Sequence, residues 1–309
     1  MIKVCILAGG SSYEREVSLS SAEEIYSNLN HNKYTAEILE IPKETSTVWI
    51  KKLLDSPPDI VVSALHGGLG EDGSVQGLME CMGIKYVGSK VLASALCLDK
   101  YISKTIMRAN HIPVLDDVLI KNSSDLNISK DIINDMGYPL VVKPNIGGSS
   151  VGISIVKDFS ELENAVNEVF LLKDHALIEK FVSGTEVTCG IIENESGLQV
   201  LPVLDIKTAR NFYDYNAKYK DDNTSISFSS LPKFLQAMIH EISKKVFLLL
   251  NCQGYGRVDM IVREEQIIVL EMNTLPGLTS HSLIPKAASM ESGGFSKFLD
   301  ALIEFEMKK

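Results

Sequence analysis

Four polar side chains interrupt two apolar runs near the end of this 309-residue chain. The runs are Tyr255–Val262 and Ile267–Met272, and the polar turn Arg263–Gln266 separates them. Branched and aromatic residues on both sides of a short polar turn are typical of a β-hairpin. Such a hairpin would hold the polar side chains in fixed positions relative to one another. They are Arg257, Asp259, Glu271 and Asn273.

The register of the hairpin decides which of these side chains meet. Pairing Val262 with Ile268 across the turn places Asp259 directly opposite Glu271 on one face of the ribbon. Like charges directly opposite each other destabilise a sheet. A buried carboxylate without a partner either costs free energy or becomes protonated. We therefore expect something to neutralise this pair.

Two interpretations account for the acid pair. Two carboxylates and the amide oxygen of Asn273 form an all-oxygen ligand set that suits Mg²⁺, usually completed by waters and substrate phosphates. The other interpretation is a solvated hairpin face. On that face Arg257, opposite Asn273 in the same register, would pair with a carboxylate. The hairpin alone does not decide between them.

The loop that follows, Thr274–Leu283, is rich in small polar residues and favours ligand binding. Gly277 allows a ligand to approach the backbone closely. Ser282 could cap a following helical turn and offer its hydroxyl and nearby N–H groups to a carboxylate.

Two glycine-rich segments resemble phosphate-binding motifs but fail on closer reading. Gly68–Gly73 has the G-x-G-x-x-G spelling, yet Glu71 and Asp72 would repel a pyrophosphate. Gly147–Gly152 lacks the Gly-Lys-Ser/Thr ending of a P-loop. A Rossmann nucleotide site and a Walker A site are therefore both disfavoured.

The elements that must position these residues begin with an alternating β-α-β-α-β pattern. It predicts a parallel sheet, at whose carboxyl strand ends ligands gather. Glu14 and His66 lie just beyond such ends. The predicted strands are Ile2–Leu7, Tyr34–Ile41 and Asp59–Ala64, and the predicted helices are Ser18–Leu29 and Trp49–Leu54.

From about Val91 the pattern changes to a small α+β unit and then to further strands. The fold class predicted is thus α/β and α+β, in several domains. The predicted helices are Lys100–Ala109, Asp125–Asp135, Ser160–Phe170 and Phe234–Leu250. The predicted strands are Leu140–Pro144, Gly152–Val156, Ala176–Phe181, Glu186–Ile192 and Leu198–Ile206. Between the last strand and the last of these helices, Lys207–Ser230 is polar without a repeating apolar face.

Composition bounds the possible partners. The chain is 45% hydrophobic and 23% charged, as soluble globular proteins are. A net charge of −10 without a basic block disfavours nucleic acid and anionic membranes. We read the short apolar start, MIKVCILAGG, as a buried strand, and no run reaches the ~18–20 apolar residues of a membrane span. Five scattered cysteines without C-x-x-C predict reduced thiols in a cytoplasmic protein.

Five ordered motifs make the chain resemble the D-alanine–D-alanine ligases, members of the ATP-grasp superfamily. The resemblance runs from the first strand to the last helix, and no motif is specific by itself. The motifs are Glu14–Leu19, His66–Gly73, Lys143–Gly152, Phe212–Tyr219 and Glu271–Gly277.

The resemblance implies an ATP-grasp fold behind an N-terminal parallel-sheet (pre-ATP-grasp) domain. Residues 1–95 would form that substrate domain, 96–183 the small central domain and 184–309 the C-terminal domain, with a lid loop at 207–230. ATP would bind between the last two domains. A lid would exclude water from a reactive acyl phosphate. A homodimer is also implied.

The resemblance implies an ATP site, residue by residue. Lysines and a glycine-rich loop would contact the phosphates, and a strand end would hold the adenine and ribose. Taken alone, the lysines are ordinary surface charges, and a structural ion pair is the alternative for Glu179 and Lys180. The implied residues are Lys100, Lys143, Gly147, Gly148, Ser149, Ser150, Glu179, Lys180, Phe181, Val182, Glu186 and Lys218. Two Mg²⁺ ions, for which Mn²⁺ could substitute, would bind Asp259, Glu271 and Asn273.

The two D-alanine sites are implied in the same way. Glu14 would bind the first ammonium, with His66 beside it. The alternatives are an acid at a helix N-terminus and a hydrogen-bonded histidine at a strand end. Ser149 and Tyr219 would link to Glu14. Arg257 and the Gly277 N–H would stabilise an oxyanion, and Ser282 with Leu283 would receive the second carboxylate.

The implied activity is ATP-dependent formation of D-alanyl-D-alanine for peptidoglycan precursors. Three alternatives remain: a ligase adding D-serine or D-lactate, an ATP-grasp ligase of a specialised pathway, and an inactive ATP-binding protein. The last is disfavoured because every metal-ligand position and Arg257 are filled. By analogy with the family it resembles, Tyr219 after Lys218 favours an amino acid over a hydroxy acid. Asn145-Ile146 and Asn216 depart from the family pattern, which puts the rate of lid closure in doubt.

Overall fold

Three β-sheets organise the computed structural model, which describes residues 1–44, 46–148, 151–207, 225–280, 282–289 and 294–309. One sheet is parallel and two are antiparallel. The α/β and α+β composition predicted from the sequence is therefore confirmed. Among the described residues, no helix has the length and apolarity to cross a bilayer.

The first sheet is four-stranded and parallel, in the order β2-β1-β3-β4. Its first helix begins at Arg15 rather than at the predicted Ser18, because Glu14 takes the N-cap position, where the Ser12 hydroxyl accepts a hydrogen bond from its N–H. The strands are β1 (Ile2–Gly9), β2 (Tyr34–Ile41), β3 (Ile60–Ser63) and β4 (Lys85–Tyr86). The helices are α1 (Arg15–Asn28), α2 (Val48–Asp55) and α3 (Ser74–Met82).

Two helices follow, α4 (Val91–Leu98) and α5 (Lys100–Ala109). Asp99 separates them, and its carboxylate accepts a hydrogen bond from the Ile102 N–H, so it caps α5. Apolar residues of both helices join the core beneath the largest sheet. The helices therefore follow the first sheet in the chain and pack against the third.

The second sheet is antiparallel, in the order β5-β8-β6-β7. Its strands are β5 (Asp117–Ile120), β6 (Leu140–Pro144), β7 (Ser154–Val156) and β8 (Ala176–Lys180). The single helix predicted over Asp125–Asp135 is wrong: the segment forms two short helices that meet at Ser129, and the Asn122 side chain caps the first. The helices are α6 (Ser123–Ile128), α7 (Lys130–Met136) and α8 (Phe159–Leu171).

The third sheet contains six antiparallel strands, centred on β9 and β13. The single strand predicted over Leu198–Ile206 is two strands, interrupted around Pro202, which has no N–H to donate to a ladder. The strands are β9 (Thr185–Asn194), β10 (Gly197–Val200), β11 (Leu204–Lys207), β12 (Ser225–Phe228), β13 (Tyr255–Arg263) and β14 (Gln266–Asn273). Strand β12 lies within the polar stretch that was predicted to be a loop. The helices are α9 (Lys233–Leu249), α10 (Leu283–Ala288) and α11 (Gly294–Lys308).

The hairpin of β13 and β14 departs from the predicted register near its turn. Val262 pairs with Ile267, so the predicted pairing with Ile268 is wrong. Asp259 nevertheless lies opposite Glu271, as predicted. Leu270 is the extra residue of a β-bulge that shifts the register between these two pairs.

Candidate active site

Two adjoining cavities contain most of the predicted site residues. The larger, about 310 Å³, lies between the two antiparallel sheets, and the smaller, about 100 Å³, lies beside the parallel sheet and the loop after β14. Both are lined by Lys100, Gly147, Gly148 and Glu271. Groups bound in the two cavities would therefore meet at these residues.

The larger cavity is lined by both apolar and charged residues, a combination that suits a heterocycle carrying a charged group. Its apolar walls include Leu115, Val141, Ile153, Ile155, Ile261 and Leu270. Every predicted ATP-binding residue that the structure describes lines it. These are Lys100, Lys143, Gly147, Gly148, Glu179, Lys180, Phe181, Val182 and Glu186.

The bulge in β14 explains how a wall and a charge come from neighbouring residues. In a regular strand Leu270 and Glu271 would point to opposite faces. Both line the larger cavity, because the extra residue turns the strand locally. The bulge thus places an apolar wall beside an acidic group.

Asp259 is only 7% exposed, so the acidic face does not lie in bulk water as the solvated-face interpretation requires. The pairing of Arg257 with a carboxylate is nevertheless present: its Nε and Nη2 donate to Asp259 at 2.8 and 2.7 Å. Thr188 Oγ1 and Asn273 Nδ2 also donate to Asp259, at 2.6 and 3.0 Å. Glu271, on the opposite strand β14, has its Oε2 3.6 Å from Nζ of Lys100.

The donor set of this face fits a hard divalent cation. The set consists of two carboxylates, Asp259 and Glu271, and the amide of Asn273. Among the described residues no group of three or more His, Cys, Asp or Glu side chains could hold a metal ion. Asn273 directs its Nδ2 toward Asp259, and a half-turn of the amide would present its oxygen instead. Carboxylate and amide oxygens are ligands that Mg²⁺ accepts.

Glu179 is the centre of a buried charge network whose partners the sequence analysis did not identify. Lys143 Nζ lies 2.7 Å from its carboxylate, and Lys104 Nζ contacts the other oxygen. Lys104 also lies 3.0 Å from Asp117. Burial alone would raise the pKa of Glu179, but the two lysines outweigh it and lower the pKa. The network therefore holds Lys143 at the cavity wall.

Lys180 takes no part in that network. Its Nζ donates to the carbonyl oxygens of Met136 and Gly137, both at 2.7 Å. The alternative of a structural ion pair thus describes the side chain of Glu179 but not that of Lys180. Both residues also line the larger cavity, which is where an adenine site was predicted.

The smaller cavity contains the predicted substrate-binding residues. They are Glu14, His66, Arg257, Gly277, Ser282 and Leu283. His66 is buried, with Nε2 3.1 Å from Ser21 Oγ. Burial and then the charge of Arg257 lower the pKa of His66 to about 4, so the ring is neutral near pH 7. A neutral ring can hydrogen-bond without repelling an ammonium.

The loop after β14 is packed tightly at Gly277. A Cβ there would lie 2.9 Å from Ser282 Oγ, so only glycine fits without displacement. Ser282 occupies the N-cap position of α10, as predicted, but its hydroxyl does not cap the helix. Instead it bonds to Thr279 Oγ1 and accepts from the Thr279 N–H, at 2.8 and 3.0 Å.

Two residues that sequence reasoning did not assign lie at this site. Glu71 lines the smaller cavity and accepts a hydrogen bond from the Gly67 N–H at 2.9 Å. Burial raises its pKa to about 7, and the Glu14 carboxylate adds to the effect. Its place in the motif His66–Gly73 was the signal, but it was read only as a charge that repels pyrophosphate. The other is Tyr13, which contacts Gly148.

Several predicted residues lie outside the described part of the chain. The structure makes no statement about them, and their roles remain predictions. They are Ser149, Ser150, Lys218 and Tyr219, together with the rest of the motif Phe212–Tyr219.

The similarity of this chain to known proteins, in sequence and in structure, extends over its whole length. The family models described as D-ala D-ala ligase N-terminus and C-terminus match residues 3–56 and 49–89, and residues 106–304. A D-alanine–D-alanine ligase of Bacillus anthracis is 41% identical over 307 residues, which are 99% of this chain and 98% of that protein.

Two crystal structures have similar folds. A D-alanine–D-alanine ligase from Bacillus anthracis complexed with ATP has a TM-score of 0.87 at 36% identity, covering 100% of this chain and 98% of its own. The VanG D-Ala:D-Ser ligase from Enterococcus faecalis has a TM-score of 0.85 at 30% identity, covering 99% of each chain. The fold is thus that of the ATP-grasp ligases. The chain belongs to the D-alanine–D-alanine ligase family.

Proposed function

We propose that this protein joins two D-alanine molecules in an ATP-dependent reaction that supplies D-alanyl-D-alanine for peptidoglycan precursors. The observation that carries the proposal is the meeting of the two cavities at Lys100, Gly147, Gly148 and Glu271. A nucleotide in the larger cavity and an amino acid in the smaller would bring a phosphate and a carboxylate together there.

ATP is the proposed occupant of the larger cavity. The apolar walls of this cavity would hold the purine, and Glu186 would bind the ribose. The residues that would bind the adenine are Glu179, Lys180, Phe181 and Val182. Lys100 and Lys143 would contact the phosphates. The backbone N–H groups of the glycine-rich loop suit an anion as well.

Asp259, Glu271 and Asn273 are the proposed ligands of Mg²⁺, with two ions and with Mn²⁺ as a substitute. Bound there, the metal would neutralise negative charge on the phosphates. Thr188 fixes one oxygen of Asp259, so the carboxylate is oriented before any ligand arrives.

The first step is phosphoryl transfer to the first D-alanine. Glu14 would bind its ammonium group and thereby aim its carboxylate at the nucleotide. A carboxylate oxygen attacks the γ-phosphorus of ATP, the bond from that phosphorus to the β–γ bridging oxygen breaks, and ADP leaves. The product is D-alanyl phosphate.

The second step forms the peptide bond. The amine of the second D-alanine, whose carboxylate Ser282 and Leu283 would receive, attacks the carbonyl carbon of D-alanyl phosphate. Phosphate leaves with the electron pair of the broken C–O bond, and the nitrogen loses a proton. Arg257 and the Gly277 N–H would stabilise the oxyanion, and such a donor contributes about 3–4 kcal/mol.

The domain division at 1–95, 96–183 and 184–309, with a lid at 207–230, belongs to this proposal. Each part would contain one of the three sheets. Ser149 and Tyr219 would link the lid and the glycine-rich loop to Glu14, and Lys218 would face the transferred phosphate. A homodimer in the cytoplasm is the proposed state of the protein.

A ligase that adds D-serine is the second candidate, because a D-Ala:D-Ser ligase has a similar fold. Phosphate release from ATP with D-alanine alone, and with D-alanine plus D-serine or D-lactate, separates the candidates when the products are identified by mass. D-Alanyl-D-alanine should form with D-alanine alone. The absence of D-alanine-dependent phosphate release would refute the proposed function.

A further inference from the structure

Tyr13 lies in the turn between β1 and α1, yet its hydroxyl contacts a residue 135 positions away. The hydroxyl donates to the carbonyl oxygen of Gly148 at 3.0 Å and accepts from the N–H of the same residue, also at 3.0 Å. A phenol can do both at once. One side chain thus satisfies both backbone groups of a single glycine in the glycine-rich loop.

The Glu14 carboxylate lies close to the same glycine. A Cβ on Gly148 would lie 3.0 Å from Glu14 Oε2 and 3.9 Å from the Tyr13 hydroxyl. Any larger residue at this position would therefore displace the Glu14 carboxylate. From the other side, Lys100 Nζ donates to the Gly147 carbonyl oxygen at 2.6 Å. The backbone at Gly147–Gly148 is held from both sides at the junction of the two cavities.

We propose that Tyr13 is a positioning residue that fastens the glycine-rich loop at Gly147–Gly148 to the substrate-binding turn that carries Glu14. Tyr13 would thereby hold Gly147–Gly148 in place at the point where the two cavities meet. The fastening of Gly147–Gly148 by Tyr13 does not depend on the activity of the protein, whereas its consequence for ATP binding rests on the proposed function.

The exposure of Tyr13 indicates that it positions the loop rather than stabilises the core. The residue is 58% exposed, so its ring contributes little to a core. Partial burial of the hydroxyl and the adjacent Glu14 carboxylate raise the pKa of Tyr13 to about 12. The hydroxyl therefore keeps its proton, and both hydrogen bonds, throughout the neutral range.

Hydrogen exchange of the loop amides in Tyr13→Phe tests the proposal directly. This variant keeps the ring and removes only the hydroxyl. Loss of both hydrogen bonds to Gly148 should speed amide exchange at Gly147–Gly148 by about threefold to tenfold, while the thermal midpoint stays unchanged. Tyr26→Phe, an exposed tyrosine on α1, is the matched control and should exchange as the wild type does. Unchanged exchange in Tyr13→Phe would overturn the proposal.

Steady-state kinetics of the same variants test the consequence for ATP. In Tyr13→Phe, KM for ATP should rise about threefold to tenfold, and kcat should change less. Faster exchange with an unchanged KM for ATP would overturn the link to the nucleotide. If the wild type itself shows no D-alanine-dependent phosphate release, the proposed function fails, and the exchange experiment still decides the role of Tyr13.

Discussion

Two pairs of carboxylates lie directly opposite each other on antiparallel strands of this protein, and they are neutralised differently. Asp117 on β5 lies opposite Glu179 on β8, and Asp259 on β13 lies opposite Glu271 on β14. Opposed like charges destabilise a sheet wherever they occur. The two pairs pose the same electrostatic problem.

The first pair is neutralised by the protein itself. Lys104 is fully buried and contacts both Asp117 and Glu179. Arg108 contacts Asp117 at 2.9 Å, and Lys143 contacts Glu179 at 2.7 Å. Cations thus outnumber the two carboxylates.

The second pair lies at a cavity. Arg257 binds Asp259 through two hydrogen bonds, and Lys100 is 3.6 Å from Glu271. Asp259 and Glu271 both line the larger cavity, where a soluble ligand can enter. We therefore propose that the protein's own cations neutralise the first pair, whereas the second pair also binds a cation that arrives with the nucleotide.

The largest expected effect is on activity, in Glu271→Gln. Removing one carboxylate from the second pair should lower kcat roughly ten-thousandfold, the scale on which single catalytic groups act. Loss of a like charge should leave the free energy of unfolding equal or higher. Glu265→Gln makes the same change in the exposed turn of this hairpin and should keep full activity. A Glu271→Gln variant with more than a tenth of wild-type turnover would show that both pairs are structural.

The variant Lys104→Met, in contrast, is expected to lower the free energy of unfolding. Lys104 is the cation that contacts both acids of the first pair, and its removal leaves Arg108 beside Asp117 and Lys143 beside Glu179. Breaking a buried ion pair costs about 3–5 kcal/mol of unfolding free energy. Urea denaturation measures this loss. Lys244→Met removes a surface partner of Glu241 and should cost less than about 0.5 kcal/mol. If Lys104→Met and Lys244→Met lowered the free energy of unfolding equally, the buried ion pairs of Lys104 would be no more stabilising than an exposed pair.

A pH experiment tests the neutral state of His66, whose pKa is lowered first by burial and then by the charge of Arg257. With its pKa lowered from 6.5 to about 4, native His66 stays neutral while the unfolded state gains a proton below pH 6.5. The free energy of unfolding therefore falls as pH falls, by about 2 kcal/mol from this group between pH 7 and 5.

The variant His66→Gln should lack that part of the pH dependence. Glu71, whose raised pKa acts with the opposite sign over the same range, is present in both proteins, so the difference between wild type and variant isolates His66. His175→Gln, at an exposed position, is the control. Identical pH dependence of wild type and His66→Gln would contradict the neutral, buried ring.

The smallest effect is expected for Thr188→Val, which removes the hydroxyl that orients Asp259. Apparent affinity for Mg²⁺ should fall about tenfold, with the fold unchanged. The Mg²⁺ dependence of phosphate release measures it. The exposed Thr35→Val on β2 makes the same change in a strand and should have no effect. Equal Mg²⁺ dependence in both variants would mean that Asp259 needs no such support.

The acid pair of the hairpin was predictable because antiparallel pairing follows from residue spacing alone. The bulge at Leu270 was not, because the predicted register assumed a longer turn. The actual turn has two residues, with Glu264 at a φ of 56°, and the extra residue restores the pairing of Asp259 with Glu271.

Lys104 shows what pattern reading leaves out. Helix α5 was predicted with its observed bounds, and Lys104 lies four residues after Lys100, on the same helical face. That spacing was an available signal. Its burial, however, depends on β5 pairing with β8, strands that are distant in sequence. Tyr13 was missed for the same reason, since its partner Gly148 is 135 residues away.

Anomalous diffraction from crystals grown with Mn²⁺ and a non-hydrolysable ATP analogue tests the central claim most directly. We predict anomalous density between the carboxylates of Asp259 and Glu271, with Asn273 among the ligands, and none at Asp117 and Glu179. Bound nucleotide without a metal ion at Asp259 and Glu271 would contradict the account.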